Sequence, residues 1–159
     1  MIRVEIRVAP ERLASATATR LIAQLDAELQ ELYPNPRDRH VSLEEDEVAP
    51  GNGVFVVAHA GPIAVGCGAV RMIDADVGEL KRMFVVPAHR GQGVATAVLR
   101  FLETEAETIG ATRLVLETGV HSPEALGLYG RAGYEEIPKF GPYVDSELSV
   151  CMCKQLDAC

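Results

Sequence analysis

The segment from Phe84 to Gly110 constrains this chain more tightly than any other. Phe84-Val85-Val86 is an aromatic and β-branched run closed by Pro87, and Gly91 and Gly93 follow shortly after it. Beyond the glycines, Val94, Val98, Phe101, Leu102 and Ile109 recur on one helical face, with Gly110 as the stop. A strand must therefore turn sharply into an amphipathic helix. Glycines at 91 and 93 remove side chains where a ligand has to approach the backbone, and the helix start offers unpaired amides and a partial positive charge. Phosphate oxygens suit such a turn, although a G-x-G turn by itself is equally an ordinary tight connection. Thr96 breaks the G-x-G-x-x-G of dinucleotide-binding proteins, and the Gly-Lys-Ser/Thr ending of a P-loop is absent.

Around this turn the elements alternate. Ile2, Val4, Ile6 and Val8 follow the period-two pattern of a strand, and Leu21, Leu25, Leu29 and Leu32 place a helix between Glu11 and Leu32, stopped by Pro34 and Pro36. Tyr33 to Gly53 reads as a long polar loop with room for a short helix. Val54–Ala60 and Ile63–Arg71 form a hairpin about Gly61-Pro62, and Glu79–Val86 is the strand that enters the glycine turn. Arg113–Thr118 is a further strand, Ser122-Pro123 starts a helix through Arg131, and Tyr134–Ile137 and Glu147–Leu156 close the chain as strands. This order predicts one α/β domain over residues 1–159. Its architecture is a mixed, mostly antiparallel central sheet of about seven strands flanked by helices.

Composition narrows the function classes. A formal charge of −8 repels polyanions, so nucleic acid is not expected as a partner and a cationic substrate is easier to accommodate. A local basic cluster can still hold an anion, and Lys81, Arg82 and Arg90 lie close together. No apolar run approaches the ~20 residues of a spanning helix, and the first residues lack a signal-peptide core, which leads to the expectation of a cytoplasmic protein without a membrane partner. Cys67, Cys151, Cys153 and Cys159 show no disulfide-framework spacing and read as free thiols.

The stretch Val85-Val86-Pro87-Ala88-His89-Arg90-Gly91-Gln92-Gly93-Val94-Ala95 resembles the V-x-P-x-x-R/Q-x-x-G-x-G/A signature of the GNAT-type N-acetyltransferases. Ala125-Leu126-Gly127-Leu128-Tyr129-Gly130-Arg131-Ala132-Gly133-Tyr134 is similar to that family's A-x-x-L-Y-x-x-x-G-F/Y segment. The likeness is close from about Gly66 to Leu156 and rests on element order before that. It implies the acyl-CoA N-acyltransferase fold and acetyl-CoA as cosubstrate. By position, Met83, Phe84 and Val85 would offer backbone groups to the pantetheine arm, and Arg90, Gly91, Gln92, Gly93, Val94, Ala95 and Thr96 would wrap the pyrophosphate. Ser122 stands where many members carry a cofactor-touching asparagine, and it serves equally as a helix cap. A splay between the strand ending at Val86 and the strand from Arg113 would expose the backbone groups this needs.

The resemblance also implies catalytic roles. Tyr129 matches the tyrosine near the coenzyme A sulfur and is the candidate general acid. Glu117 and Glu79, each at a strand end, are the candidate bases, with Glu117 preferred and a water chain as the alternative. The expected reaction is acetyl transfer from acetyl-CoA to a primary amine of a small molecule or a protein, by direct attack in a ternary complex. The acidic run Glu44 to Glu47 is one feature that could draw in a cationic amine. An inactive acyl-CoA-binding sensor and a nucleotide-binding enzyme are the rival readings, and a homodimer is compatible with the family. Metal binding is not expected: Cys151-x-Cys153 lacks partners at ligand spacing, and His40, His59, His89 and His121 are scattered. Cys67 reads as a buried strand residue, with no neighbouring His or acid to activate it.

Overall fold

The computed structural model describes residues 5–40 and 42–156. Its strands are β1 (Ile6–Pro10), β2 (Gly53–Ala60), β3 (Ile63–Met72), β4 (Val77–Val85), β5 (Arg113–Gly119), β6 (Glu135–Ile137) and β7 (Ser149–Gln155). The helices are α1 (Ala16–Leu32), α2 (Val94–Thr108) and α3 (Pro123–Arg131), with 3-10 turns at Pro36–Asp38, Glu45–Val48, Pro87–His89 and Gly141–Tyr143. All seven strands join one sheet in the order β1-β2-β3-β4-β5-β7-β6, antiparallel throughout except for the parallel pair β4–β5. This is the mixed, mostly antiparallel architecture expected from the order of elements. Ile2 and Val4 of the first strand, and Cys159, lie outside the described residues.

Several boundaries move for local reasons. The helix expected from Glu11 begins at Ala16, because Ser15 is its N-cap and accepts the Ala18 amide at 3.0 Å. Leu32, expected on its buried face, is 39% exposed; Ala18, Leu21 and Leu25 carry the burial instead. Along α2 the buried side chains are Val94, Val98, Leu99, Leu102 and Ala106, so Leu99 and Ala106 replace Phe101 and Ile109 at the centre of the stripe. The long loop holds two separate 3-10 turns rather than one helix. No helix among the described residues is long and apolar enough to cross a membrane.

Burial follows from strand alternation. On β2, Val56 and Ala58 pack into the core under α2 and α3, while Phe55 and Val57 pack into a second core under α1. The first core also takes Leu80 of β4, Leu114 and Leu116 of β5, Met152 of β7 and Tyr129 of α3. Each fully buried aliphatic side chain contributes about 1.5–3 kcal/mol, so both sheet faces stabilise the fold.

One irregularity positions everything that follows. Pairing between β4 and β5 runs from Val77↔Arg113 to Leu80↔Leu116 and stops, although β4 continues to Val85 and β5 to Gly119. The strands fork. On its other side β4 changes register against β3 between Cys67 and Ala69, and Arg82, at φ 60°, holds the bulge. A left-handed arginine costs about 1–3 kcal/mol, and its guanidinium meets Asp26 of α1 at 2.8 Å. Across the cleft, Tyr33 at the end of α1 bridges to the segment after β5: its hydroxyl accepts the His121 amide at 3.1 Å and stands 3.1 Å from the Ser122 hydroxyl.

Only glycine fits at 119 beneath that tyrosine, since an added Cβ would sit 1.7 Å from Tyr33 Oη and 2.2 Å from Cζ. Gly119→Ala is therefore expected to destabilise the fold by about 1–3 kcal/mol, the usual cost of overpacking. A denaturant midpoint equal to that of the wild type would show that Tyr33 is not wedged there.

Candidate active site

The fork opens into a cleft of about 560 Å³ whose walls come from α1, the loop after it, β4, β5 and the starts of α2 and α3. At one end lies the glycine turn. Gly91 and Gly93 have φ of 77° and 85°, and a Cβ on either would meet nothing within 4 Å. Glycine is required here first by backbone conformation, with open space above it as the second consequence. The first helical bond of α2 runs from the Ala97 amide to Gly93 O at 3.0 Å, and the amides of residues 91–96 have no protein partner among the described residues. They face a region where anions are stabilised by the helix dipole.

Most residues singled out from the sequence converge on the cleft. Met83, Phe84, Val85, Arg90, Gly91, Gly93, Val94, Ala95, Thr96, Glu117, Ser122 and Tyr129 all line it, whereas Gln92 and Glu79 do not. Arg90 is already engaged: its Nε donates to Val85 O at 2.9 Å and its NH2 meets Glu28 at 2.7 Å. Ser122 occupies the N-cap position of α3 but its side chain makes no capping bond; the hydroxyl turns to Tyr33 instead. That corrects the reading of Ser122 as a side-chain cap.

Tyr129 enters from the α3 side. It is buried at 5% exposure, packs edge-on against Tyr134 with centroids 5.7 Å apart, and its hydroxyl makes no hydrogen bond with the described residues. Burial pushes its pKa up, which keeps the hydroxyl protonated as a donor. Glu117 approaches from the opposite sheet face, at the first position past the last β4–β5 pair. Burial raises its pKa to about 7, against the Ser149 hydroxyl, which donates to Oε2 at 2.6 Å, and the nearby Lys81; Glu79 adds to the rise. A carboxyl group poised near neutrality can exchange a proton under ordinary conditions.

Glu79 has a different environment. It is 2% exposed, and Arg71 grips Oε1 from Nε at 3.0 Å and NH2 at 2.9 Å, while the Tyr143 hydroxyl donates to Oε2 at 2.6 Å. Both oxygens are taken. Of the two glutamates expected to border the cleft, only Glu117 does so. The acidic run also falls elsewhere: Glu47 pairs with Arg71, Glu45 with Arg12, and none of residues 44–47 lines the cleft, so the expected attraction of a cationic amine by this run has no structural footing.

Tyr33, His40, Lys81 and Tyr143 line the cleft without having been singled out for it by motif. Nothing in their local sequence marks them, apart from the basic cluster that contains Lys81. Cys67 is buried with its pKa pushed up to about 12 and its thiol turned to Arg82 O at 3.3 Å, as an inert strand residue should be. Among the described residues no group of His, Cys, Asp or Glu has the arrangement of a metal site.

With the fork, the glycine turn and the tyrosine in place, the comparison with known proteins is decisive about class. The acetyltransferase (GNAT) family model matches residues 18–134, and the chain belongs to that family. An IAA acetyltransferase of Azospirillum brasilense is 35% identical over 152 residues, covering 95% of this chain and 98% of the relative. A Klebsiella pneumoniae structure, assigned as an acyl-CoA N-acyltransferase, superposes with a TM-score of 0.84 at 33% identity over 97% of this chain and 99% of its own. A GNAT family acetyltransferase from Elizabethkingia anophelis with acetyl-CoA bound shares the fold, with a TM-score of 0.67 at 18% identity over 95% and 98% of the two chains.

The raised pKa of Glu117 has a consequence for stability. Between its ordinary value of 4.5 and about 7, the folded chain retains a proton that the unfolded chain releases, so this group's contribution is present at low pH and lost as pH rises through about 7. Melting temperatures of the wild type and Glu117→Gln measured across that range should diverge in favour of the glutamine variant as pH rises. Parallel curves would show that Glu117 titrates normally.

Proposed function

We propose that this protein is an acetyl-CoA-dependent N-acetyltransferase in which Glu117 and Tyr129 act as base and acid on a primary amine bound in the β4–β5 fork. One observation carries the reading: Glu117 and Tyr129 come from opposite faces of the sheet, yet line the same cleft where strand pairing has ceased. The family assignment supports acyl transfer, and the acetyl-CoA bound in the Elizabethkingia relative supports the donor.

The residues present suit the donor. Free amides at residues 91–96, above glycines whose missing side chains leave open space, form an anion cradle for a pyrophosphate. The unpaired edge of β4 beyond Leu80 supplies backbone donors and acceptors to an amide-bearing arm, and an amide there can polarise the thioester carbonyl. Acetyl-CoA contributes the activated acyl group. Glu117 accepts a proton from the acceptor's ammonium, and the freed amine attacks the carbonyl carbon as the carbon–sulfur bond breaks. Tyr129 donates its hydroxyl proton to the departing thiolate, its phenolate is reprotonated by the second proton that the new amide nitrogen sheds, and Glu117 passes the first to solvent. Holding both reactants in one cleft supplies much of the remaining acceleration.

The direct test is thiol release from acetyl-CoA in the presence of a panel of primary amines, with the IAA of the Azospirillum brasilense relative's name run beside them as a separate acceptor. Glu117→Gln and Tyr129→Phe should each lower kcat by about 10²-fold or more while leaving acetyl-CoA affinity intact. Full activity in both variants would remove them from the mechanism. Gly93→Asp should raise the Kd for acetyl-CoA by at least about tenfold, or 1.4 kcal/mol, since it adds a negative charge and a strained left-handed residue to the phosphate cradle. Unchanged affinity in that variant overturns the assignment of the turn.

A further inference from the structure

Lys81 is the unexplained group of the cleft. It is 8% exposed, and its ammonium donates only two long hydrogen bonds, to His40 O at 3.4 Å and to the Tyr143 hydroxyl at 3.3 Å. Among the described residues it has no carboxylate within 4.0 Å, although lysines are rarely so buried unless paired. Glu79, two residues earlier on the same strand face, is held by Arg71 and Tyr143 and is linked to Lys81 only through the Tyr143 hydroxyl, not by a direct ion pair.

The register states what stands opposite. Leu80↔Leu116 is the last pair of β4 and β5, so Lys81 and Glu117 are the first residues past it, adjacent across the mouth of the fork and on the same face. Both line the cleft. His40 stands beside them, edge-on to Tyr143 with centroids 5.0 Å apart, and its Nε2 is buried without a partner among the described residues. An unpaired cation, an unpaired imidazole nitrogen and a carboxylate thus share one small polar patch. A polyamine or a lysine side chain would bring a second positive charge or an apolar stem against Lys81 and leave these groups unmatched.

We propose that the acetyl acceptor is an amine that carries a carboxylate close to its amino group, with the amino group at Glu117 and the carboxylate on Lys81, assisted by His40. The arrangement complements a zwitterion: each charge of the ligand meets its opposite, and the ion pair that Lys81 lacks within the chain is supplied by substrate. Lys81 in this role selects the acceptor and does not take part in proton transfer. The inference rests on the acetyltransferase reading above and narrows it to amino acids.

The experiment measures acetyl-CoA thiol release by the full chain with α- and β-amino acids, each matched with the amine that lacks its carboxylate and with its carboxamide. For at least one set, the acid should exceed both partners in kcat/KM by tenfold or more, mainly through KM. Lys81→Met should collapse that ratio toward one while still binding acetyl-CoA, and Lys81→Arg should retain part of it. Acceptance of the decarboxylated amines or carboxamides as well as or better than the acids overturns the proposal and leaves the acetyltransferase reading standing. A ratio unchanged in a Lys81→Met variant that binds acetyl-CoA overturns it equally, and if that variant does not fold the wild-type panel decides alone. Thiol release with none of the amines, despite acetyl-CoA binding, would defeat the acetyltransferase reading and this inference together.

Discussion

The end of strand pairing at Leu80–Leu116 is the constraint on which the rest of the site depends. A closed sheet would separate its two faces completely, leaving Tyr129 in the core under α2 and α3 and Glu117 on the side of α1. Where β4 and β5 part, the barrier is absent and the two side chains line one cleft. Unpaired strand edges are ordinarily a liability, because their amides and carbonyls seek partners. Here they border a cavity, where backbone groups are left open to the cleft.

The fork is held by groups on both sides. On β4, the Arg82 bulge turns the strand, and its guanidinium is tied to Asp26 of α1. On β5, Gly119 makes room for Tyr33, whose hydroxyl binds the segment leading into α3. Helix α1 therefore contributes through both its middle and its end, which ties the first third of the chain to a site whose recognisable motifs all lie later. Behind these contacts, outside the cleft lining, Glu79 is locked by Arg71 and Tyr143. On the neighbouring strand, Glu117 has the Ser149 hydroxyl on Oε2 in place of a guanidinium, and burial raises its pKa to about 7. Two glutamates on neighbouring strands thus differ in their partners, one gripped by a guanidinium and the other by a serine hydroxyl.

Charge is distributed in the same local fashion. The chain carries a formal −8, yet the cleft lining holds Lys81, His40 and Arg39 as well as Glu117 and Asp38. Overall charge speaks to long-range encounter, while recognition follows from the few groups inside the cleft. The acidic run of residues 44–47, conspicuous in the sequence, is spent in part on Arg71 and Arg12 at the periphery.

How much was legible in the sequence depended on whether the signal was local. The glycine turn, the amphipathic α2, the hairpin at Gly61-Pro62 and the A-x-x-L-Y segment are encoded by neighbours along the chain, so the order of elements and the family could be read directly. Cleft positions of Arg90 to Ala95, Gln92 aside, and of Tyr129 followed from the same motifs. Which glutamate borders the cleft could not be read, because it depends on the register at which two strands more than thirty residues apart stop pairing. Nor could the places of Tyr33, His40, Tyr143 and Lys81, which are set by contacts between distant segments with no spacing to announce them. The sequence by itself determined the elements and the glycine turn, since backbone conformation and hydrophobic periodicity are local properties. Only the tertiary structure decided which polar groups meet in the cleft around Glu117, since pairing, burial and charge compensation are properties of what is brought together.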